Sequence, residues 1–584
     1  MANTPAVPQD LSLRAVKDRL FDWKEIILIL LVLVLIYQVI VPFAMIVWAS
    51  FKTVHPGEPS FINFDFSVAN YARAFGSKEF WEATRMTLIY ATTCTVFAFL
   101  GGLFLAWVVT RTNTPGAQFI GMVTLARIVI PTILITVSWI LVASPSIGMA
   151  NKLIIMAGGP ARFFNVYTFW GMVWVQWVEI IPLAYLLIMA ALQSMDPRLE
   201  EASVMTGAST WRTTMRITVP LVTPAVIAAG LLLFITTVEN FEVPLLLGGR
   251  ADVRVYTTEV FFNTARTPTD WGLASTYSMA LLVLACALLV IYFYMTRASE
   301  KYQTITGKDF RPHRIDLGAW KWLTSGISML LIFIVTGLPF IVMIYASFLE
   351  FLEPPSAEAF RSMSWVNYKN LLGDSHYALN PMINSTLLGV GSATAVMILA
   401  STISYYVHKT RVPGRKLLDF LGFASIAIPS VVLGTSFLWL YLLVPVPIIG
   451  TLTIIGLAYL TKYLPFALRF VSSSMVQIHV ELEEAAIVAG VPWWKNFIQI
   501  YLPLLRPGLM AGWFWVMVHA YRELTVALLL SRSENRTAAV IIFDLWDSGS
   551  FMQLSAFGVI IFLVLMILVW ISHVLSKRFG VQDT

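Results

Sequence analysis

The chain has 584 residues, of which 58% are hydrophobic and only 12% charged. Soluble domains carry roughly a quarter charged residues, so a soluble domain is excluded and an integral membrane protein is expected. The net charge of +6 does not call for nucleic acid, because the basic excess falls in segments assigned below to the cytoplasm, as the positive-inside rule requires.

Residues 1–25 are polar and basic and are expected to form a cytoplasmic N-terminal segment carrying Arg14, Lys17 and Arg19. The apolar run that follows is about 23 residues, too long for the core of a cleaved signal peptide, and is read as an uncleaved first span. A helix needs roughly 20 apolar residues to cross the hydrocarbon core. The first half, 26–300, offers six such stretches, at 26–48, 84–110, 118–144, 168–192, 221–244 and 271–296. A cytoplasmic linker, 301–322, carries with its flanks Arg297, Lys301, Lys308, Arg311, Arg314 and Lys321, a charge run that anchors it by the same rule. The second half, 323–584, offers six more, at 323–348, 383–408, 417–443, 451–475, 505–530 and 554–576.

The runs are too long and unbroken for barrel strands, so the expected fold is all-α with twelve transmembrane helices. An even number puts both termini on one side, and the basic ends, including Lys577 and Arg578, put that side in the cytoplasm. Cys94 and Cys286 both fall inside predicted spans, which argues against a disulfide framework. The seven histidines are scattered with none at ligand spacing to another, so no metal site is expected in the chain.

The two halves repeat one another. LEEASVMTGASTWRTTMRITVPLVTP, from Leu199 to Pro224, recurs in the second half as LEEAAIVAGVPWWKNFIQIYLPLLRP, from Leu482 to Pro507. Pro42 and Phe43 recur as Pro339 and Phe340, and Asn70 and Tyr71 as Asn367 and Tyr368, at one constant offset. Thr112, Pro115 and Gly116 recur as Thr410, Pro413 and Gly414, with the offset longer by one residue. Six spans per half give both halves one orientation, so they form parallel repeats related by a pseudo-twofold axis along the membrane normal.

The repeated segment predicts a short helix-turn-helix lying along the cytoplasmic face. Asp196 and Pro197 suit a helix start, and Glu200 and Glu201 lie in its first turn, near the positive end of the dipole. Glu483 and Glu484 take those places in the second copy. Gly207 and Gly490 break the helix in a conformation other residues resist. A second amphipathic piece carries Trp211 or Trp494, and Pro220 or Pro503 restarts the chain as a span. Such an element presents apolar side chains to a partner's groove.

The pattern Glu-Ala-Ala, three residues, Gly, nine residues, Ile, one residue, Leu-Pro resembles the signature of permease subunits of bacterial binding-protein-dependent ABC importers. The second copy meets it at Glu484, Ala485, Ala486, Gly490, Ile500, Leu502 and Pro503. The first, with Glu201, Ala202 and Gly207, departs at Ser203 and Val219. The resemblance covers nearly the whole chain, as a fusion of two such permeases in the bacterial inner membrane. It implies that each loop is a coupling helix docking on a cytoplasmic ATPase, with two copies of that subunit in the assembly and a periplasmic solute-binding protein delivering cargo. The chain has no phosphate-binding loop of its own, since Gly307, Lys308 and Asp309 lack the upstream glycine and the hydroxyl. No cofactor is expected in it, ATP and magnesium belonging to the partner ATPase, and no enzymatic activity of its own is expected.

Charges inside a bilayer are costly, roughly 2.5–3.5 kcal/mol each on insertion scales, and demand a reason. Glu179 lies near the middle of its span and Lys462 near the middle of the equivalent one, in register with the repeated loops. Glu239 corresponds to Arg522 in the same register. Equivalent positions thus carry opposite charges twice, and at least one of these pairs is expected to meet across the pseudo-twofold axis. Glu239 lies roughly 25 Å along its span, which predicts that Glu239, Asn240, Glu242, Arg522 and Glu523 gather near the outer mouth of the pathway.

The run Glu239 to Gly248, the run Tyr521 to Leu524 and the triplet Asp544 to Trp546 are similar to the ferric iron importer branch. Polyamine, thiamine and aminoethylphosphonate importers are related alternatives. An ion-driven secondary transporter of two parallel halves also accounts for twelve spans and buried charges, but gives no reason for the repeated loop. A membrane-embedded enzyme needs a convergent nucleophile, base or metal cluster, and none stands out beyond the Glu239 and Arg522 groups.

Overall fold

The computed structural model describes residues 23–56, 58–193, 202–203, 205–299, 314–373, 377–479 and 481–578. Regular structure among them is helical, the extended pairing being one isolated bridge between Thr112 and Ile315. Nine helices of the described residues are long and apolar enough to cross a bilayer: Glu25–Ser50, Lys78–Arg111, Phe169–Gln193, Met215–Val238, Trp271–Thr296, Trp320–Ser347, Leu379–Lys409, Leu452–Gln477 and Phe551–Leu575. Two bent pairs, Ala117–Val129 with Thr132–Ala143 and Arg415–Ala427 with Ser430–Leu443, raise the count to eleven if each is one span. The described residues are those of an all-helical, multi-pass membrane protein.

The predicted spans 118–144 and 417–443 are not straight. They bend by 105° and 107° at Pro131 and Pro429. Proline has no N–H for the helical ladder and its ring crowds the preceding turn, so Ile130 and Ile428 are pushed into extended conformation. The predicted span 505–530 is likewise two pieces, Arg506–Tyr521 and Thr525–Leu530. The first stops at Arg522, and Glu523 restarts the second by accepting the Val526 N–H at 3.2 Å. Its counterpart stops at Glu239, where Asn240 accepts the Val243 N–H, also at 3.2 Å.

The repeat seen in sequence extends to single hydrogen bonds. Asn70 donates to the carbonyls of Ser50 (3.2 Å) and Lys52 (2.7 Å), and Asn367 to those of Ser347 (3.0 Å) and Leu349 (2.7 Å). Tyr71 and Tyr368 each donate to the serine hydroxyl, Ser50 or Ser347, at 2.8 Å. π-Helical turns recur at Ile36–Ile40 and Phe333–Gly337, and at Thr214–Thr218 and Phe497–Tyr501. Each precedes a proline (Pro42, Pro339, Pro220, Pro503) whose missing N–H leaves a carbonyl unpaired and loosens the turn before it.

The sequence halves are not separate packing bodies. Helix Glu25–Ser50 crosses to pack on Arg415–Ala424 and Ser430–Leu443, and Trp320–Ser347 crosses to pack on Ala117–Ala126 and Thr132–Ala143. Thr461 donates to the Gln38 side chain at 2.8 Å, and the hydroxyls of Thr114 and Thr324 lie 2.9 Å apart. Both hydrophobic cores draw residues from each half. Close approach within a half relies on small residues, as membrane helices require. At Gly102 an added Cβ would sit 2.5 Å from the Ala184 Cβ, so Lys78–Arg111 and Phe169–Gln193 pack tightly there.

Candidate functional site

Three features are candidates: the repeated loops, a buried charge cluster between the halves, and a cavity at the far end of the helices from the loops.

The second loop is the helix Glu481–Val488, a left-handed Gly490 at φ +73°, and the turn Trp493–Asn496. The Ala489 N–H donates to the Ala485 carbonyl and the Val491 N–H to that of Ala486, both at 3.0 Å, a pattern that closes a helix over a left-handed residue. The first loop repeats this at Gly207, φ +82°, with Thr206 on Ala202 and Ala208 on Ser203, both at 3.2 Å. An added Cβ at either glycine meets nothing within 4 Å, so backbone conformation alone selects glycine.

Glu484, Ala485 and Ala202 are exposed, and Ala486 is buried against its own chain. Ser203, where the first copy departs from the pattern, lies 2.8 Å from the Thr213 hydroxyl, so the substituted position is internally satisfied. Trp494 is 49% exposed, and Met205 and Val488, equivalent residues at the two helix ends, are each 89% exposed. A single exposed apolar residue is ordinary. The same position bared in both copies is not, and the sequence pattern by itself does not single it out. Glu200 and Glu201 lie outside the described residues, as do the side chains of Trp211 and Glu483.

The intramembrane charges converge, but with different partners from those expected. Arg127, whose side chain is 1% exposed, donates to Glu179 at 2.6 Å, and the Thr132 hydroxyl donates to the other oxygen at 2.8 Å. Arg522 of the second half places Nη2 4.0 Å from that second oxygen and donates through Nη1 to the Ile128 carbonyl. Lys462 pairs with Glu523 of its own half. Neither Glu179 with Lys462 nor Glu239 with Arg522 is an ion pair among the described residues. Equivalent residues meet only if they lie on the axis, and the chain break at Arg522 instead turns it toward Glu179.

Glu179 is near the middle of the 25-residue helix Phe169–Gln193, so Arg522 is held at mid-helix depth rather than at its end. Glu239 and Glu242 each keep one buried carboxylate oxygen with no hydrogen-bond partner. The charge pattern along the sequence does not pick out Arg127. Its signal is an arginine shortly before Pro131 in an apolar run, but its equivalent, Ser425, is uncharged and invites no comparison.

Beyond these breaks, helices Tyr256–Ala265 and Ala538–Asp547 are equivalent in the two halves. They border a cavity of about 910 Å³ lined mostly by Leu245 to Arg266 of the first half and Phe543 to Phe551 of the second. Arg254 lies 3.7 Å from Glu259, and its equivalent Arg536 lies 3.2 Å from Asp544. Burial pushes both carboxyls, Glu259 and Asp544, above their ordinary range, with the arginine opposing in each case. Among the described residues no three histidine, cysteine or carboxylate side chains converge to hold a metal.

The profile of the family described as binding-protein-dependent transport system inner membrane component matches residues 98–301 and 400–580. A ferric transport system permease protein of Actinobacillus pleuropneumoniae is 27% identical over 408 residues, 69% of this chain and 58% of that protein. A putative ferric transport system permease protein of Haemophilus influenzae is 27% identical over 374 residues, 64% of this chain and 58% of the relative. An Fe(3+)-transport system permease protein of the same species is 22% identical over 486 residues, 81% and 85% of the two chains. The chain thus spans 58% of the length of the first two relatives. A solved bacterial ABC transporter involved in the import of the acidic polysaccharide alginate has a chain 19% identical, aligned over 100% of its length with 50% of this one, at a TM-score of 0.40. The profile match falls once in each half, covers about two thirds of the chain and includes both loops, and the chain therefore belongs to the family of binding-protein-dependent transport system inner membrane components.

Proposed function

We propose that this chain is the membrane-spanning permease of an ABC importer. It passes ferric iron from a periplasmic binding protein to the cytoplasm, driven by ATP hydrolysis in two copies of a separate ATPase. The observation that carries this reading is the pair of loops that fold alike and bare the same apolar position, Met205 and Val488. Two equal handles suit two equal motors, and a groove that buries them gains stability from their apolar area. The ATPase's nucleotide and magnesium would lie in that partner. Ferric iron is the cargo named for the similar permeases of Actinobacillus pleuropneumoniae and Haemophilus influenzae.

On this reading the two bent pairs and the broken Arg506–Tyr521 helix complete twelve spans, six per half in parallel. Both termini and both loops face the cytoplasm of a bacterial inner membrane. The test is reconstitution into proteoliposomes with the cognate ATPase and binding protein. ATP-dependent accumulation of radiolabelled ferric iron delivered by the binding protein is the expected result. Uptake surviving without the ATPase would overturn the ABC assignment in favour of an ion-driven carrier. Accumulation of a polyamine, thiamine or an aminophosphonate instead of iron would overturn the cargo alone.

A further inference from the structure

We infer that Arg522 is a positioning residue shared between two carboxylates of the first half, Glu179 and Glu242, and that transport moves it from one to the other. The inference rests on the permease reading above. Arg522 sits in the break between Arg506–Tyr521 and Thr525–Leu530, and both groups it touches, Glu179 and the Ile128 carbonyl, belong to the opposite half. It is therefore a charged tether between the halves.

Its hold on Glu179 is expendable. That carboxylate already receives Arg127 at 2.6 Å and Thr132 at 2.8 Å, against 4.0 Å for Arg522. Withdrawing Arg522 leaves no stranded charge at Glu179. Glu242 is the converse case. One of its oxygens is buried without a hydrogen-bond partner, and it stands just past the break at Glu239, the counterpart of the break that holds Arg522. A buried unpaired acceptor costs stability and needs an explanation. Lys462 is committed to Glu523 and Arg127 to Glu179, which leaves Arg522, 4.0 Å from its carboxylate, as the cation of this cluster with the loosest ion pair. Relative motion of the halves that carries Arg522 toward Glu242 exchanges a satisfied acceptor for an unsatisfied one. A contact that differs between two states in this way biases the equilibrium between them.

The test uses the full chain with its ATPase and binding protein in proteoliposomes. Glu242→Gln should lower the uptake rate about tenfold, within the usual range of coupling between linked sites, with the melting temperature of the resting complex unchanged. Arg522→Gln should lower it similarly, Arg522→Lys should restore most of the loss, and the double variant Glu242→Gln with Arg522→Gln should be no slower than either alone. Normal uptake by Glu242→Gln, or losses that multiply in the double variant, would overturn the exchange while the wild type's transport still supports the permease reading. A wild-type complex without ATP-dependent uptake would remove both. If Arg522→Gln does not assemble, the isosteric Glu242→Gln variant decides by itself.

Discussion

Phe261 and Phe543 occupy equivalent positions in the two halves, and their rings meet edge to face with centroids 6.5 Å apart. Equivalent side chains touch only where the pseudo-twofold axis passes between them. The pair therefore marks the axis beside the cavity of about 910 Å³, where the two halves close on each other. An aromatic pair contributes about 1 kcal/mol beyond burial, or about fivefold in an equilibrium. On the importer function proposed above, Phe543→Ala should favour separation of the halves at this end and raise ATP hydrolysis by the complex without binding protein by about that factor. Phe543→Tyr, which keeps the ring contact, should leave the basal rate near wild type. Equal basal rates for alanine and wild type would show that the contact closes nothing.

Gly490 and Gly207 supply a second prediction. A non-glycine residue in the left-handed region costs roughly 1–2 kcal/mol, and no steric clash adds to it here. Asparagine tolerates that region and a β-branched residue does not. Gly490→Asn should retain most uptake and Gly490→Val should abolish it, with both proteins present in the membrane at wild-type amounts. Uptake and immunoblotting of the membrane fraction together check this.

The bared apolar positions give a third. Burying a side chain of this size stabilises an interface by about 1.5–3 kcal/mol. On the proposed reading, Val488→Glu should weaken association with the partner ATPase by about tenfold or more, and Met205→Glu combined with it should prevent co-purification. Glu484→Lys should also abolish uptake while insertion persists. ATPase recovered in normal amounts with the double variant would contradict the docking role of the loops.

The fourth concerns the buried pair. Removing one member of a buried ion pair strands the other, at a cost of roughly 3–5 kcal/mol. Glu179→Gln leaves Arg127 with a neutral partner and should lower the melting temperature of the purified chain markedly. Glu239→Gln should change it little, since its carboxylate has an oxygen without a partner to lose. The charge swap Glu239→Arg with Arg522→Glu should not restore function, because Arg522 faces Glu179 rather than Glu239.

Much of this protein is readable along the chain. A span announces itself by an unbroken apolar run, and a duplicated half by residues such as Asn70 and Asn367 at fixed offset. The hydrogen bonds of that pair then agree closely, at 3.2 and 2.7 Å in the first half and 3.0 and 2.7 Å in the second. The loop turns are legible too, because a left-handed residue within a helix end selects glycine by backbone sterics that need no knowledge of the rest of the molecule.

Tertiary structure alone decided how these pieces meet. The apolar pattern of 118–144 does not show that Pro131 turns the chain by 105° and so sets Arg127 and Thr132 against Glu179. Nor does opposite charge at equivalent positions show who pairs with whom. Local signals depend on neighbours a few residues away. Contact between halves depends on where the symmetry axis runs, on the exchange of the first helix of each half, and on the break that aims Arg522. Those are properties of packing in three dimensions, and no stretch of sequence carries them by itself.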